Sequence, residues 1–470
     1  MMRRPAPAAG RAAALSALFL AYQRGVHVRE LLDGVARDRH LDRRDAAFAM
    51  RLALGATVTS GALDEVIDMH LDHPRRVSAR VRIALRIAAF ELIYLERPPA
   101  VAVSQGVELV GSIARSATGL ANAVLRRVAT SRRSYLAAAD APLKDRRVVS
   151  LARCAGMPVW LAGAIEGSLG PELAGRLFDT QLTAAPIAIH LNPLRESADF
   201  AKVLGSIELP GCAGPVPGPE LLASSALERG DAVVSDAVAQ LIATAATAVG
   251  TCLEIGSGRG TKTFVMASQA HRAGFARHHV ALDIDSRRAE SCGQRLRRAG
   301  LDEGVRTLVA DGCDLEGALG DSDRRRLFET VFVDAPCSGT GTMRRHPEIC
   351  WRLRPCDVER GLPDLQRALL ASAASRVAMG GQLLYSTCSV LSSENDDVID
   401  DFLGGETGRA FRLDRVSAAP ILRSAGFADA KRFAETLESA RGTLQSVPRT
   451  GDFDGHFCAR LIRCHTADSL

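Results

Sequence analysis

After Asp231 the chain alternates short β-type runs with helical ones, and that alternation leaves few architectures open. Cys252–Ile255, Val280–Asp283, Thr307–Ala310, Thr330–Asp334 and Gln382–Ser386 read as strands separated by stretches of helical periodicity. Strands with helices between them cannot pair as tight hairpins and need crossover connections, so the expected fold is a parallel, doubly wound α/β sheet of Rossmann-like type. Such a sheet collects ligands outside the carboxyl ends of its strands. The residues that end each strand are therefore where chemistry is expected.

The first strand runs into Glu254-Ile255-Gly256-Ser257-Gly258-Arg259-Gly260-Thr261-Lys262-Thr263. Glycines in a strand-to-helix turn let the backbone approach a cofactor while the helix N–H groups face its polar atoms. The spacing suits S-adenosylmethionine, although a nicotinamide site begins similarly. Gly256, Ser257, Gly258, Arg259, Gly260, Thr261 and Lys262 are the expected cofactor contacts. Asp283 ends the next strand and fits an acidic ribose ligand, with Asp285 as its rival. Asp311 follows the third strand and is placed beside the adenine edge, the alternative being a solvated turn aspartate. Acids ending successive strands favour a methyl-donor site.

The fourth and fifth strands each lead into a cysteine. One segment reads Asp334-Ala335-Pro336-Cys337-Ser338-Gly339-Thr340-Gly341, the other Tyr385-Ser386-Thr387-Cys388-Ser389. Paired thiols at strand ends imply covalent chemistry on a pyrimidine ring. Thiolate addition at C6 makes C5 of cytosine enamine-like and able to attack an electrophilic methyl group, and a second cysteine can assist release. Asp334 also counts among the cofactor-side acids, and it can hydrogen-bond N3 and the exocyclic amine of a flipped cytosine. The residues alone do not order the two cysteines. Just beyond, Met343 to Arg352 mixes cations with Trp351, which either stacks on a base or anchors in the core.

The N-terminal third differs in kind. Residues 1–133 carry 21 arginines, no lysine and 12 acidic residues, a net +9 within a chain of net +5. That excess suits a polyanionic partner, since arginine forks onto phosphates. Periodicity there is helical throughout: Val81 to Glu96 is apolar on most sides, Pro98-Pro99 stop it, and helices resume over Val101 to Ile113 and Thr118 to Val128. Leu15, Leu18, Phe19 and Tyr22 share one helical face, so the apolar stretch from Ala12 reads as an amphipathic core helix and not as a leader peptide. Residues 134–230 give mixed signals, with helical stretches near Trp160–Leu169 and Glu172–Gln181 and a strand at Ile187–Leu191. Three domains are expected: 1–133 helical, 134–230 a small α+β linker, and 231–470 catalytic. Eleven cysteines without regular spacing point to a reducing, cytoplasmic setting and no disulfide framework. No metal site, no membrane span and a monomer are expected.

These motifs together resemble the bacterial Sun/Fmu-type 16S ribosomal RNA cytosine-C5 methyltransferases, which carry an N-terminal NusB-like RNA-binding domain. The resemblance rests on the segment from Asp334, on Arg344-Arg345-His346-Pro347-Glu348, on Ser386 to Ser389, on Glu394-Asn395 and on Asp454-Gly455-His456-Phe457-Cys458-Ala459-Arg460. In the first half it rests on Arg43-Arg44-Asp45, on Leu85 to Tyr94 and on Ala121 to Arg127, and Val234 to Leu241 matches the family's entry into its catalytic domain. It implies S-adenosylmethionine as cofactor and ribosomal RNA as partner, with Cys388 as nucleophile and Cys337 aiding release. In DNA cytosine methyltransferases the Pro-Cys cysteine attacks instead. One departure stands out: the family's glycine loop usually reads Cys-Ala-Ala-Pro-Gly-Gly-Lys-Thr, whereas here the closing Lys262-Thr263 survives and the Ala-Pro is replaced by a general methyltransferase-like glycine loop. Rival expectations are a transfer RNA or 23S cytosine-C5 methyltransferase and a non-catalytic RNA-binding factor.

Overall fold

A helix that is apolar on most sides packs inside a bundle, and Ala79–Ile93 is such a helix, burying Val81, Ile83, Leu85, Ile87, Phe90 and Leu92 while Arg82 and Arg86 pair with Asp64. The computed structural model describes residues 8–464 apart from 27, 196–207, 219–220, 222–224, 347 and 450–451. In it, helices Ala9–Arg24, Arg43–Val58, Ser60–Asp68, Pro99–Gly111 and Thr118–Leu136 surround Ala79–Ile93 around one core. Leu15 is buried and Leu18 and Phe19 pack against that core, but Tyr22 is 67% exposed, so the apolar face expected of this helix ends one turn early.

Two further helices, Arg146–Ala155 and Val159–Thr180, extend the bundle, the second breaking at Gly170 (φ +75°) before Pro171 as the two separate helical stretches predict. Arg153 fixes the first of them. Its guanidinium donates to Asp140 at 2.5 Å, to Glu65 at 2.6 Å and to the Tyr135 carbonyl at 3.0 Å, and lies 4.4 Å from the Tyr135 ring centre. Residues 1–183 accordingly form one compact unit, which also takes in 343–353. The helical half of the 134–230 segment thus joins the first unit and its strands the second. Within 343–353, the Trp351 indole N–H donates to the Val58 carbonyl and its ring covers Gly61, where a Cβ would have no room. Trp351 is half-buried and is held by these contacts within the first unit; Pro347 lies outside the described residues.

The second unit, 184–342 and 354–470, holds two sheets. β1 (Ile189–Leu191), β2 (Cys212–Ala213) and β3 (Ala232–Val234) form a small antiparallel sheet in the order β2-β1-β3. The main sheet contains β4 (Gly250–Ile255), β5 (Arg277–Asp283), β6 (Val305–Val309), β7 (Phe328–Asp334), β8 (Val377–Thr387), β9 (Phe411–Asp414), β10 (Leu444–Gln445) and β11 (Phe457–Arg463). Its order is β10-β11-β8-β7-β4-β5-β6, with β9 also on β11. β4 to β8 are parallel, as expected, but β11 joins β8 antiparallel, so the sheet is mixed. The strands expected from the sequence end at β8, and β9, β10 and β11 are not among them. The returning β11 then buries Phe457, Ala459 and Leu461 in the core on the face of the sheet that also takes Val331 and Val333. Alternate residues of β7 feed two cores: Val331 and Val333 face one side, Phe332 the other. Among the described residues no single helix is long and apolar enough to cross a membrane.

Candidate active site

The turn after β4 is shaped by its glycines. Gly256 (φ +83°) and Gly260 (φ +79°) occupy left-handed backbone, and a Cβ at Gly260 would stand 2.9 Å from Cys292 Cα. The backbone N–H groups of Gly256 and Ser257 both donate to the Leu282 carbonyl at 2.9 Å, tying the loop to β5. Gly258 N–H donates to Asp283 Oδ2 at 2.9 Å, while Asp283 Oδ1 accepts from Asp285 N at 2.9 Å. Asp283 is buried at the end of β5. Asp285 instead caps helix Ser286–Ala299, accepting from Arg288 N at 3.0 Å. Asp311 is exposed beyond β6, its Oδ1 accepting from Cys313 N at 2.9 Å in a local turn. Ser257 is buried, Arg259 is exposed, and Thr261 accepts from Arg295 at 2.8 Å. Over Gly258 the space is open, with no atom within 4 Å of where a Cβ would stand. A glycine loop at a helix N-terminus, an acidic strand end beside it and open space above fit a nucleoside methyl donor.

The strand ends of β7 and β8 bring the two cysteines together. Their Sγ atoms lie 3.3 Å apart, and the Cys388 N–H also points at Cys337 Sγ at 3.3 Å. Lys262, from the first turn of helix Thr261–Arg272, donates to Asp334 Oδ2 at 2.7 Å. Burial works against charge on Lys262, but the Asp334 carboxylate and the neighbouring thiols outweigh it and raise its pKa. The two thiols share one ionisation. A hydrogen bond from Cys337 lowers the Cys388 pKa, assisted by the Lys262 charge against the cost of burial. The same hydrogen bond, with burial, pushes Cys337 well above the ordinary thiol range. Cys388 is the member of the pair whose ionisation the surroundings favour, and Cys337 the member whose ionisation they oppose.

Beneath the thiols lies a polar knot to which the sequence reading attaches no role. Glu394 is fully buried. Its carboxylate accepts from Ser338 N at 2.8 Å, from Ser338 Oγ, from Ser389 Oγ at 2.5 Å and from Gln366 Nε2 at 3.1 Å. Gln366 also reaches the Pro336 carbonyl at 2.9 Å, and Asn395 joins Thr387 Oγ1 at 2.6 Å to the Ser389 carbonyl at 3.0 Å. Glu394-Asn395 is visible in the sequence as a motif match, but nothing in it shows that the acid is buried. The C-terminal motif closes on the same loop, Gly455 N donating to Gly341 O at 2.9 Å. No group of three or more His, Cys, Asp or Glu side chains able to hold a metal ion occurs among the described residues.

Comparison with known proteins agrees with this geometry. Residues 243–462 match the family described as 16S rRNA methyltransferase RsmB/F, and residues 9–130 match the NusB family. Ribosomal RNA small subunit methyltransferase B of Thermus thermophilus is 30% identical over 459 residues, covering 96% of this chain and 97% of that protein. The protein of the same name from Sodalis glossinidius is 29% identical over 447 residues, covering 90% and 91%. Among solved structures, PH0851 shares the fold with a TM-score of 0.72 at 21% identity, over 98% of this chain and 100% of that one.

Proposed function

The chain belongs to the RsmB/F family of S-adenosylmethionine-dependent methyltransferases and carries a NusB domain, and from that membership and the site we propose that it methylates C5 of a cytosine in 16S ribosomal RNA. The observation that carries this reading is the pair of thiols 3.3 Å apart at adjacent strand ends, one favoured as thiolate beside Lys262 and Asp334. When bound, S-adenosylmethionine supplies an electrophilic methyl group; the protein supplies everything else. Gly256 to Lys262, Asp283, Asp311 and Asp334 are the proposed cofactor-side residues. Of the acids, Asp283 is the best supported, because it is buried against the loop while Asp285 serves as a helix cap.

Cys388 Sγ adds to C6 of the flipped cytosine while Asp334, protonated in the complex, donates its proton to N3 as electron density moves onto the ring, and N3 returns that proton when the adduct breaks down. C5, made nucleophilic by the addition, would take the methyl group as its bond to the cofactor's sulfur breaks and the electron pair returns to sulfur, and would still carry its own hydrogen. Loss of that C5 proton to a base restores the 5,6 double bond and expels the Cys388 thiolate, with Cys337 positioned to help this step. Lys262 holds Asp334 in place and favours negative charge on Cys388 in the resting site. The basic helical unit is proposed to hold RNA, and the strands near β1 to form a linker module. Bisulfite sequencing of ribosomal and transfer RNA from a deletion strain tests the substrate. Loss of one 16S cytosine signal is the expected result, whereas loss in 23S or transfer RNA would move the assignment to those substrates.

A further inference from the structure

We propose that Glu394 is a positioning residue of this reaction, its buried carboxylate gripping the residue that follows each cysteine and so holding the two cysteine loops at their working separation. The inference rests on the covalent reading of the site. The β7–β8 ladder ends at Asp334 opposite Ser386, so both cysteines lie beyond the last pair that sheet register fixes. Direct links span the loops there: Gly341 N to the Cys388 carbonyl at 2.9 Å, Val390 N to Thr340 Oγ1 at 3.0 Å, the Ser389 hydroxyl with those of Thr340 at 3.1 Å and Ser338 at 3.2 Å, and Cys388 N to Cys337 Sγ at 3.3 Å. Glu394 adds a charged bridge that takes in the residue after each cysteine. Oε1 accepts from the backbone of Ser338, next to Cys337; Oε2 accepts from the hydroxyls of both Ser338 and Ser389, the latter next to Cys388.

The choice of an ionisable residue here is informative. A buried carboxylate is costly unless its acceptor sites are filled, and these four donors fill them without a cation. A glutamine could keep the Oε1 contacts, but its amide nitrogen cannot accept from two hydroxyls. Glutamate therefore does something a neutral side chain cannot. Its charge opposes ionisation of both thiols, while Lys262 on the other side favours it at Cys388; Asp334, Tyr385 and the partner thiol are the remaining titratable groups facing the pair. Geometry and field act together: the knot sets where the sulfurs stand, and its charge helps keep the second proton on Cys337.

Glu394→Gln in the full chain tests this. Methylation of cytosine-containing RNA should lose about tenfold or more in kcat, with KM for RNA changed by less than about twofold. Without RNA or cofactor, the midpoint of the pH profile for alkylation of Cys388 by iodoacetamide, read by mass spectrometry, should move to lower pH because the opposing charge is gone. Ser389→Ala keeps the charge but releases one loop, so kcat should fall while the midpoint stays in place. A folded Glu394→Gln protein with wild-type kcat and midpoint would overturn the proposal. If that variant does not fold, normal kcat in both Ser338→Ala and Ser389→Ala overturns it equally. A wild-type protein inactive on cytosine would break the functional reading instead; the alkylation midpoint then decides the Glu394 inference alone, supporting it if moved and overturning it if not.

Discussion

Arg153 in the helical unit and Glu394 in the α/β unit are both buried charges, and they are satisfied in opposite ways. Arg153, 4% exposed, meets two carboxylates whose outer faces still touch water, so its charge is cancelled locally. Hydrogen bonding to Asp140 raises the Arg153 pKa and holds Asp140 below the usual carboxylate range. Glu394 is met by neutral donors and leaves its negative charge standing beside two thiols. A cancelled charge fixes helices; an uncancelled one acts on its neighbours. Removing the first should cost stability, and removing reactive groups near the second should cost chemistry.

The largest effect expected is at the thiols. Cys388→Ala removes the first bond-forming step, so neither methylated RNA nor a covalent protein–RNA species should form. Cys337→Ala should still attack and transfer, yet accumulate an adduct stable to denaturing gel electrophoresis. The reverse pattern would exchange the two roles, and turnover surviving both substitutions would remove the covalent mechanism.

Next comes Arg153→Leu, which strands Glu65 and Asp140 and should lower unfolding free energy by about 2–3 kcal/mol, the scale of a charged hydrogen-bond cluster. Because the folded pKa of Asp140 is depressed, its contribution is present above the unfolded carboxylate pKa and lost as pH falls through the folded value. The gap between wild type and Arg153→Leu in denaturant titrations should therefore narrow on acidification. A Cys388 alkylation midpoint that moved in this variant would break the separation between the two kinds of buried charge.

Asp283→Ala should weaken S-adenosylmethionine binding by about 1.5–3 kcal/mol, since it removes both a ribose acceptor and the clamp on Gly258. Asp285→Ala should do much less to binding and lower stability only as a lost helix cap. Calorimetry with the opposite ranking would reassign the ribose ligand.

How far the sequence could be read follows from the range of the forces involved. The parallel strands β4 to β8 were legible because strand and helix periods are local, and the cysteine loops because they end those strands. β11 was not, since its pairing with β8 depends on where the chain returns and not on its own pattern. Trp351 and Arg153 show the same limit: one looks like a stacking residue and the other like any exposed arginine until the fold supplies Gly61 or Asp140. Glu394 is the clearest case. An acid in sequence is read as solvated by default, and only the convergence of Ser338, Ser389 and Gln366 shows otherwise.

The smallest effect separates buried arginine from exposed arginine within the helical unit. Arg126 and Arg127 are exposed on helix Thr118–Leu136, where neither charge is needed for the core. If they contact phosphate, each neutralised contact releases counterions, and replacing one by Gln should flatten the slope of log K against log salt by about 0.7–0.9. Stability should stay within about 0.5 kcal/mol, in contrast to Arg153→Leu. The full chain is the right vehicle, because a cut at residue 133 would divide a unit that runs to 183. An unchanged salt slope in the double variant would show that Arg126 and Arg127 are not where the unit's positive charge meets RNA.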